Sequence, residues 1–181
     1  MLKTDEQLME EFTAGNAGAF DQLLERWRSP MYSFVLGILK NGEAADDAFQ
    51  EVFVRVIRGA KSFETDRKFS SWAFRIANNI CMDILRKNSR AATESEPDVP
   101  APDPAPGPEE RLEKSETARR LRAHILSLPV DQRRVLILRE YAGLSFREIA
   151  DVLDCPLNTA LGRMRDALKK LSPLMEADEY G

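Results

Sequence analysis

The feature that most constrains this sequence is a proline-rich, acidic stretch in its middle, residues 91–110. This stretch holds six of the chain's ten prolines and six acidic side chains without a basic one, and Val99 is its only large apolar residue. A segment of this composition cannot bury enough apolar surface to fold. We therefore expect a flexible linker between two folded blocks, residues 1–90 and 111–181, reaching about 60 Å if it is fully polyproline-like.

Both blocks are predicted to be helical. In the first block, apolar residues recur every three or four positions, the period of one helical face. They form three runs, Phe20–Ile38, Ala45–Ile57 and Trp72–Leu85, with a turn-like segment, Phe63–Ser71, before the third. In the second block, helices are expected at about Leu112–Leu128, Asp131–Tyr141, Ser145–Leu153 and Leu157–Leu171. Strand-like alternation is absent, so the predicted fold class is all-α, with two small helical domains.

The composition of the chain argues against a membrane-spanning, zinc-binding or enzymatic protein. The chain of 181 residues is 43% hydrophobic, enough for two small cores, and no apolar run approaches the roughly 20 residues that span a bilayer. The polar N-terminus lacks a signal core, so we expect a cytoplasmic protein. Two cysteines and one histidine are too few for a structural zinc site, and His124 has no paired nucleophile. We expect no metal, no cofactor and no enzymatic activity.

Charge is distributed unevenly along the chain. The net charge is −4, yet residues 67–90 carry six basic side chains against Asp83 alone. Aromatic residues, among them Phe69, Trp72 and Phe74, interleave with these basic residues. That mixture is typical of surfaces that stack bases and neutralise phosphates, although some of the aromatic residues must belong to the core. Trp72 is expected to pack inside, whereas Phe63 in the preceding loop is expected to be freer.

The second block contains a helix-turn-helix pattern. Ser145 and Glu148 fit a capping box that starts a helix, and Gly143 supplies the permissive backbone before it. The segment Asp154-Cys155-Pro156 ends that helix and starts the next. The two helices are expected to meet through an apolar set on each: Ile149, Ala150 and Leu153 on the first, and Leu157, Leu161, Met164 and Leu168 on the second. The alternative is an ordinary helical hairpin with a solvated outer face.

In a helix-turn-helix the second helix enters the major groove with its N-terminal part. The candidate residues for duplex DNA are Ser145, Asn158, Thr159, Leu161, Gly162, Arg163 and Arg165. Arg163 is the strongest single candidate, because arginine reads guanine bidentately. At Leu161 we expect apolar contact with a thymine methyl group.

These residues resemble a known family in two separate places. From Leu128 to Leu171 the sequence is similar to region 4 of the extracytoplasmic-function (ECF) sigma factors. Asp47–Phe53 resembles region 2.2 of that family, and Phe69–Asn79 resembles its regions 2.3 and 2.4. One departure is Asn158-Thr159-Ala160-Leu161, where the family usually has Gly-Thr-Val and a basic residue.

The resemblance implies a sigma factor that binds core RNA polymerase and directs promoter-specific transcription initiation. Region 2, in residues 1–90, would recognise the minus 10 element, and region 4, in residues 111–181, the minus 35 element. The implied partners are core RNA polymerase, promoter DNA and an anti-sigma factor.

The resemblance also assigns residues in the first block. Asp47, Gln50 and Glu51 stand at positions i, i+3 and i+4, so they share one helical face, a pattern that by itself favours a solvated surface over a docking site. By resemblance this face would dock on the clamp helices of the largest polymerase subunit. The residues implied for the single-stranded minus 10 element are Phe63, Lys68, Arg75, Asn79, Arg86 and Lys87.

Two other functions remain as alternatives. One is a helix-turn-helix regulator that binds duplex DNA without polymerase. The other is a sigma-like decoy for an anti-sigma protein, which would normally need an additional input domain. A run-off transcription assay separates them, since only a sigma factor yields specific transcripts when added to core enzyme.

Overall fold

A computed structural model describes residues 3–94 and 116–179. Within these ranges the chain forms eight α-helices, a short 3-10 turn and no strand, which confirms the all-α prediction. The helices are α1 Asp5–Thr13, α2 Ala17–Leu39, α3 Gly42–Gly59, α4 Phe69–Glu94, α5 Glu116–Ser127, α6 Val130–Glu140, α7 Phe146–Leu153 and α8 Leu157–Glu179, and the 3-10 turn is Ala60–Ser62. Residues 91–94 of the predicted linker belong to the end of α4, and residues 95–110 lie outside the described part.

Helices α2, α3 and α4 correspond to the three apolar runs of the first block. Their core is aromatic: the buried ring of Phe74 meets Trp27 edge-on at 5.7 Å and Phe34 at 5.5 Å between centroids. Such edge-to-face pairs contribute about 0.5–1.5 kcal/mol each beyond the area that they bury. Val52 and Val56 of α3 are fully buried. Residues that recur every three or four positions in the sequence therefore form the buried face of these helices.

Helix α1 was not predicted from the sequence. It begins with a capping box in which Thr4 and Gln7 bond to each other's backbone amides, and it buries Leu8 and Met9. The Glu6 side chain accepts a hydrogen bond from the backbone amide of Phe69 at 3.1 Å, which ties α1 to the start of α4. These partners are distant in sequence, so the polar N-terminal segment gives no periodic signal of its packing.

The second bundle, α5 to α8, differs from expectation in the face that α8 buries. Leu157, Leu161 and Leu168 were expected to pack against α7, but they are 38%, 41% and 51% exposed. The inner face consists of Ala160, Met164, Ala167 and Leu171. The physical reason is close approach: the small alanines allow α8 to lie near α6 and α7, which turns the larger leucines outward.

The two bundles are in contact, although the linker would let them sit apart. Helix α6 packs against α2, and α7 packs against α4. At Gly37 the helices approach so closely that an added Cβ would collide with Ile137 Cδ1. Between α4 and α6, the buried Arg134 donates from Nη1 to Asn78 Oδ1 at 2.9 Å.

Candidate nucleic-acid interface

The predicted helix-turn-helix is present as α7 and α8. Ser145 N donates to Glu148 Oε2 at 2.7 Å, and Glu148 N donates to Ser145 Oγ at 3.3 Å, which completes the expected capping box. Gly143 has a positive φ of 67°, as its position before the cap requires. Asp154 ends α7 in the left-handed conformation at φ 49°, where its amide donates to Ala150 O.

The carboxylate of Glu148 is held in its charged form. Burial raises its pKa, but hydrogen bonds from the Ser145 hydroxyl and amide and the nearby Lys68 ammonium outweigh that effect, so the pKa is lower than usual. Because the pKa is lowered in the folded chain, the cap is fully formed above the ordinary glutamate pKa and weakens as pH falls through the lowered value. The start of α7 therefore carries a fixed negative charge at neutral pH.

The outer face of α8 differs from expectation at its arginines. Leu157, Asn158, Leu161 and Arg165 are exposed at the start of the helix. Arg163 turns back instead, and its Nη2 donates to Asp131 Oδ2 of α6 at 3.0 Å. Asp131 also accepts from Arg134, which fixes it in the first turn of α6. Sequence periodicity could not show this pairing, because its partner lies on another helix.

Thr159 and Gly162 are half-buried between the exposed positions of α8. Ser145 is exposed at the start of α7, with its hydroxyl oxygen engaged in the cap. Each of the seven candidate positions for duplex DNA thus lies in the described helix-turn-helix, although Arg163 does not project outward.

The polar face of α3 extends further than the sequence indicated. Asp47 and Gln50 are exposed, and Glu51 is half-buried and accepts from Arg55 Nε at 2.7 Å. Two large apolar residues continue this face, Val54 at 37% and Ile57 at 46% exposure. Ile57 had been placed in the buried stripe, but it points outward. The steps of three and four residues from Asp47 through Gln50 to Val54 and Ile57 could have identified this surface.

Four of the candidate residues for single-stranded DNA share one side of α4. Lys68, Arg75, Asn79 and Arg86 are spaced so that successive side chains return to the same helical face, and all four are exposed. We call this set the α4 basic face. Lys87 is exposed on a different side, and Arg86 pairs with Asp83 at 2.7 Å.

An aromatic cluster adjoins the start of the α4 basic face. The half-buried ring of Phe63 lies 5.1 Å from Trp72 and 6.2 Å from Phe69, centroid to centroid. Phe63 was expected to be freer than Trp72, and in the structure both rings are half-buried and pack on each other. Trp72 is half-buried, and Phe69 is fully buried beneath both rings. The cluster holds two partly exposed rings on a rigid base.

The comparisons with known proteins agree in both blocks. The Sigma-70 region 2 family matches residues 23–91, and the Sigma-70 region 4 family matches residues 118–171. The RNA polymerase sigma-H factor of Pseudomonas aeruginosa is 31% identical over 94% of this chain and 95% of its own. The ECF RNA polymerase sigma-E factor of Escherichia coli K12 is 32% identical over 95% of this chain and 96% of its own.

The chain belongs to the ECF RNA polymerase sigma factors. The fold agrees: CnrH, solved in complex with the cytosolic domain of CnrY, matches with a TM-score of 0.72 and 27% identity over 97% of this chain and 99% of that one. As a sigma factor, the protein binds core RNA polymerase and directs promoter-specific transcription initiation, recognising the minus 10 element with region 2 and the minus 35 element with region 4. Sigma factors are initiation factors and not enzymes. Within the described ranges, no helix is long and apolar enough to cross a membrane.

Proposed function

We propose that this sigma factor uses three surfaces, one for core polymerase, one for the minus 10 strand and one for the minus 35 element. Region 2 would comprise residues 1–90, a linker residues 91–110 and region 4 residues 111–181. The observation that carries this proposal is the α4 basic face. Four polar or basic side chains on one side of a helix, beside two partly exposed aromatic rings, supply both phosphate neutralisation and base stacking.

The α3 face would bind core polymerase. Asp47, Gln50 and Glu51 give a polar and acidic surface, which favours orientation and encounter rate more than affinity. Val54 and Ile57 add exposed apolar area beside it, and apolar area is what supplies affinity when a surface is covered. We assign the clamp helices of the largest subunit as the partner of this face.

The α4 basic face and the aromatic cluster would hold the melted non-template strand. Lys68, Arg75 and Arg86 would contact phosphates, while Phe63 and Asn79 would hold a base extruded from the minus 10 element. Stacking a base on an aromatic side chain is worth about 1–3 kcal/mol, which offsets part of the cost of unstacking it from the duplex. Lys87, on another side of α4, would contribute only long-range attraction.

The exposed start of α8 would read the minus 35 element. Asn158, Leu161 and Arg165 project outward, so they would approach base edges or phosphates first. Arg163 would join them only after leaving Asp131. Thr159 and Gly162 lie between these positions and would set how deeply the helix enters the groove, and Ser145 would meet a phosphate at the start of α7.

Run-off transcription tests this division. The promoter template is first obtained by mapping transcripts in cells that overexpress the protein. Purified protein with core polymerase should then yield one transcript of defined length, and neither component alone should do so. Duplex binding at that promoter by the protein alone, with no transcript from the mixture, would instead support a helix-turn-helix regulator.

We also propose a cytoplasmic location, where polymerase and promoter DNA are found, and regulation by an anti-sigma protein. The second proposal is supported by the likeness to CnrH, a chain solved with the cytosolic domain of another protein bound to it. Co-purification of a tagged chain from its host, followed by inhibition of run-off transcription by the recovered partner, would test it.

A further inference from the structure

Helix α1 faces the loop that follows α3 across a small cavity, which we call the α1 cavity. It measures 220 Å³, and its α1 wall contains Glu10 and Thr13. The opposite wall, on the 3-10 turn and the residues after it, contains Lys61 and Phe63. Sites for drug-sized ligands span about 300–1,000 Å³, so the α1 cavity suits a smaller group, such as one planar base.

The two walls of the α1 cavity are fixed relative to each other. The carboxylate of Glu6 accepts a hydrogen bond from the Phe69 amide at 3.1 Å, which joins α1 to the residue where α4 begins. Trp27 of α2 donates from Nε1 to Asp5 Oδ2 at 2.9 Å, and Leu8 is fully buried, so α1 is also anchored on α2. A site with rigid walls can discriminate between bases, because a misplaced group loses its hydrogen bond.

Phe63 gives the α1 cavity an aromatic surface. Its ring is held by Trp72 at 5.1 Å and Phe69 at 6.2 Å, centroid to centroid, and it is still only half-buried. The part of the ring that these contacts leave uncovered borders the cavity. A base that is extruded from the minus 10 element and stacked on Phe63 would therefore bring its edge towards α1.

The α1 wall offers hydrogen-bond acceptors to that edge. An ionised carboxylate accepts but cannot donate, and no side chain among the described residues bonds or pairs with the exposed carboxylate of Glu10. Thr13 Oγ1 donates to the Glu10 carbonyl oxygen at 2.8 Å, so its proton is used within the helix and its lone pairs remain for a ligand. The ammonium of Lys61 is a donor on the facing wall.

Acceptors on one wall and a donor on the other match a base that carries an exocyclic amine. Cytosine presents its amine beside a ring nitrogen that accepts, and a carboxylate is the side-chain group that pairs with the cytosine amine. Adenine presents an amine and a ring nitrogen in the same arrangement. Thymine has a carbonyl where cytosine has the amine, so two oxygens would face each other at Glu10 without a hydrogen between them.

We propose that Glu10 determines base specificity in the minus 10 element: it accepts a hydrogen bond from the exocyclic amine of the extruded base, cytosine or adenine, while that base stacks on Phe63. This inference rests on the proposed capture of the base by Phe63. Lys61 donates to the neighbouring ring nitrogen of the same base. Helix α1, which the sequence did not reveal, thereby takes a direct part in promoter recognition.

The experiment first locates the position that enters the α1 cavity. Holoenzyme assembled from core polymerase and the full-length protein binds fluorescent single-stranded oligonucleotides that carry the mapped minus 10 sequence, each lacking one base. The captured base is the one whose removal weakens binding by wild type but not by Phe63→Ala, because that variant has already lost the stack.

The base at that position is then exchanged within two matched pairs. Cytosine and uracil differ by an amine against a carbonyl at one ring carbon, and adenine and hypoxanthine differ in the same way. A hydrogen bond to a charged group corresponds to about 10-fold in affinity at the lower end of its range, which applies here because Glu10 is exposed. Wild type should therefore bind the cytosine and adenine oligonucleotides about 10-fold more tightly than the uracil and hypoxanthine ones.

Three variants of α1 complete the test. Glu10→Gln should reduce both preferences, and Glu10→Lys should reverse them, because an ammonium donates to the carbonyl that replaces the amine. A reversal cannot result from poor folding, since each ratio compares two oligonucleotides on the same variant. Glu11→Gln is the matched control: Glu11 bonds to Asn16 Nδ2 at 3.0 Å and lies outside the lining of the cavity, so this variant should keep the wild-type preferences.

Two results would overturn the assignment of Glu10 and leave base capture by Phe63 intact. One is equal affinity of wild type for both members of each pair at the position that the abasic series identifies. The other is an unchanged preference in Glu10→Gln and Glu10→Lys. If no abasic position separates wild type from Phe63→Ala, the capture of a base by Phe63 is refuted, and the role of Glu10 is refuted with it.

Discussion

Two neighbouring asparagines on α4 should have opposite effects when each is replaced by alanine. Asn78 is 6% exposed, and its Oδ1 accepts from Arg134 at 2.9 Å across the contact between the bundles. Asn79 is exposed on the α4 basic face. Among the described residues Arg134 Nε finds no acceptor, so its guanidinium depends on Asn78 and Asp131.

The expected magnitude for Asn78→Ala follows from that bond. Losing a buried hydrogen bond to a charged group lowers the free energy of unfolding by about 1.5–3 kcal/mol. Asn78→Ala should therefore unfold at a lower urea concentration, while its transcription with core polymerase should stay normal wherever the variant is folded. Asn79→Ala should leave the unfolding midpoint unchanged and initiate poorly on duplex promoters, with recovery on a template that carries an artificial bubble.

Urea unfolding and run-off transcription of both variants, side by side, provide the measurement. Circular dichroism before each assay confirms that both variants are folded. If Asn78→Ala unfolds at the same urea concentration as wild type, the bond to Arg134 does not stabilise the contact between the bundles. If the two variants lose transcription equally and neither recovers on the bubble, the distinction between a buried and a DNA-facing asparagine is refuted.

Four further predictions concern the proposed surfaces. The double variant Asp47→Arg, Glu51→Arg should lose co-purification with core polymerase while keeping its helical circular dichroism, and normal core binding would remove the α3 face from that role. Phe63→Ala should lose about 1–3 kcal/mol of base stacking, so run-off transcription should fall on a duplex promoter and recover on a pre-melted template. Equally poor initiation on the duplex and on the bubble template would contradict the role in strand capture. Arg165→Ala should weaken promoter binding, measured by filter-binding or anisotropy titrations. If Arg165 contacts a base, the loss should be about 1–3 kcal/mol and confined to promoters that carry the preferred base pair at one position. If it contacts a phosphate, affinity should fall equally for all sequences, and the salt dependence of binding should become shallower. Arg163→Ala should weaken promoter binding less than Arg165→Ala does, because Arg163 must first leave Asp131 to reach DNA. A larger loss of affinity for Arg163→Ala would show that the pair with Asp131 opens when DNA binds.

The sequence predicted the elements that depend on local periodicity and capping. Helices α2 and α3 follow their apolar runs, and the turn between α7 and α8 follows from Ser145, Glu148 and Gly143. These features can be read from the chain because the residues that determine them lie within four positions of one another.

The sequence did not predict which side of each helix would be buried where several apolar residues compete. Leu157 and Leu168 have the stronger hydrophobic signal, yet Ala160 and Ala167 occupy the core of the second bundle. Close packing of helices depends on shape as well as on hydrophobicity, and a small side chain is favoured where two backbones approach. Ile57 is a similar case on α3, since it lies outside a core that Val52 and Val56 already fill.

The sequence by itself determined the all-helical class, the helix-turn-helix and the membership of the ECF sigma factors. Only the tertiary structure decided that Arg163 faces Asp131, that Phe63 packs on Trp72, and that α7 packs against α4. The physical reason is the range of the interactions. Periodicity and capping act within one or two helical turns, whereas these contacts join residues far apart in the chain, and their partners are fixed only once the helices have packed.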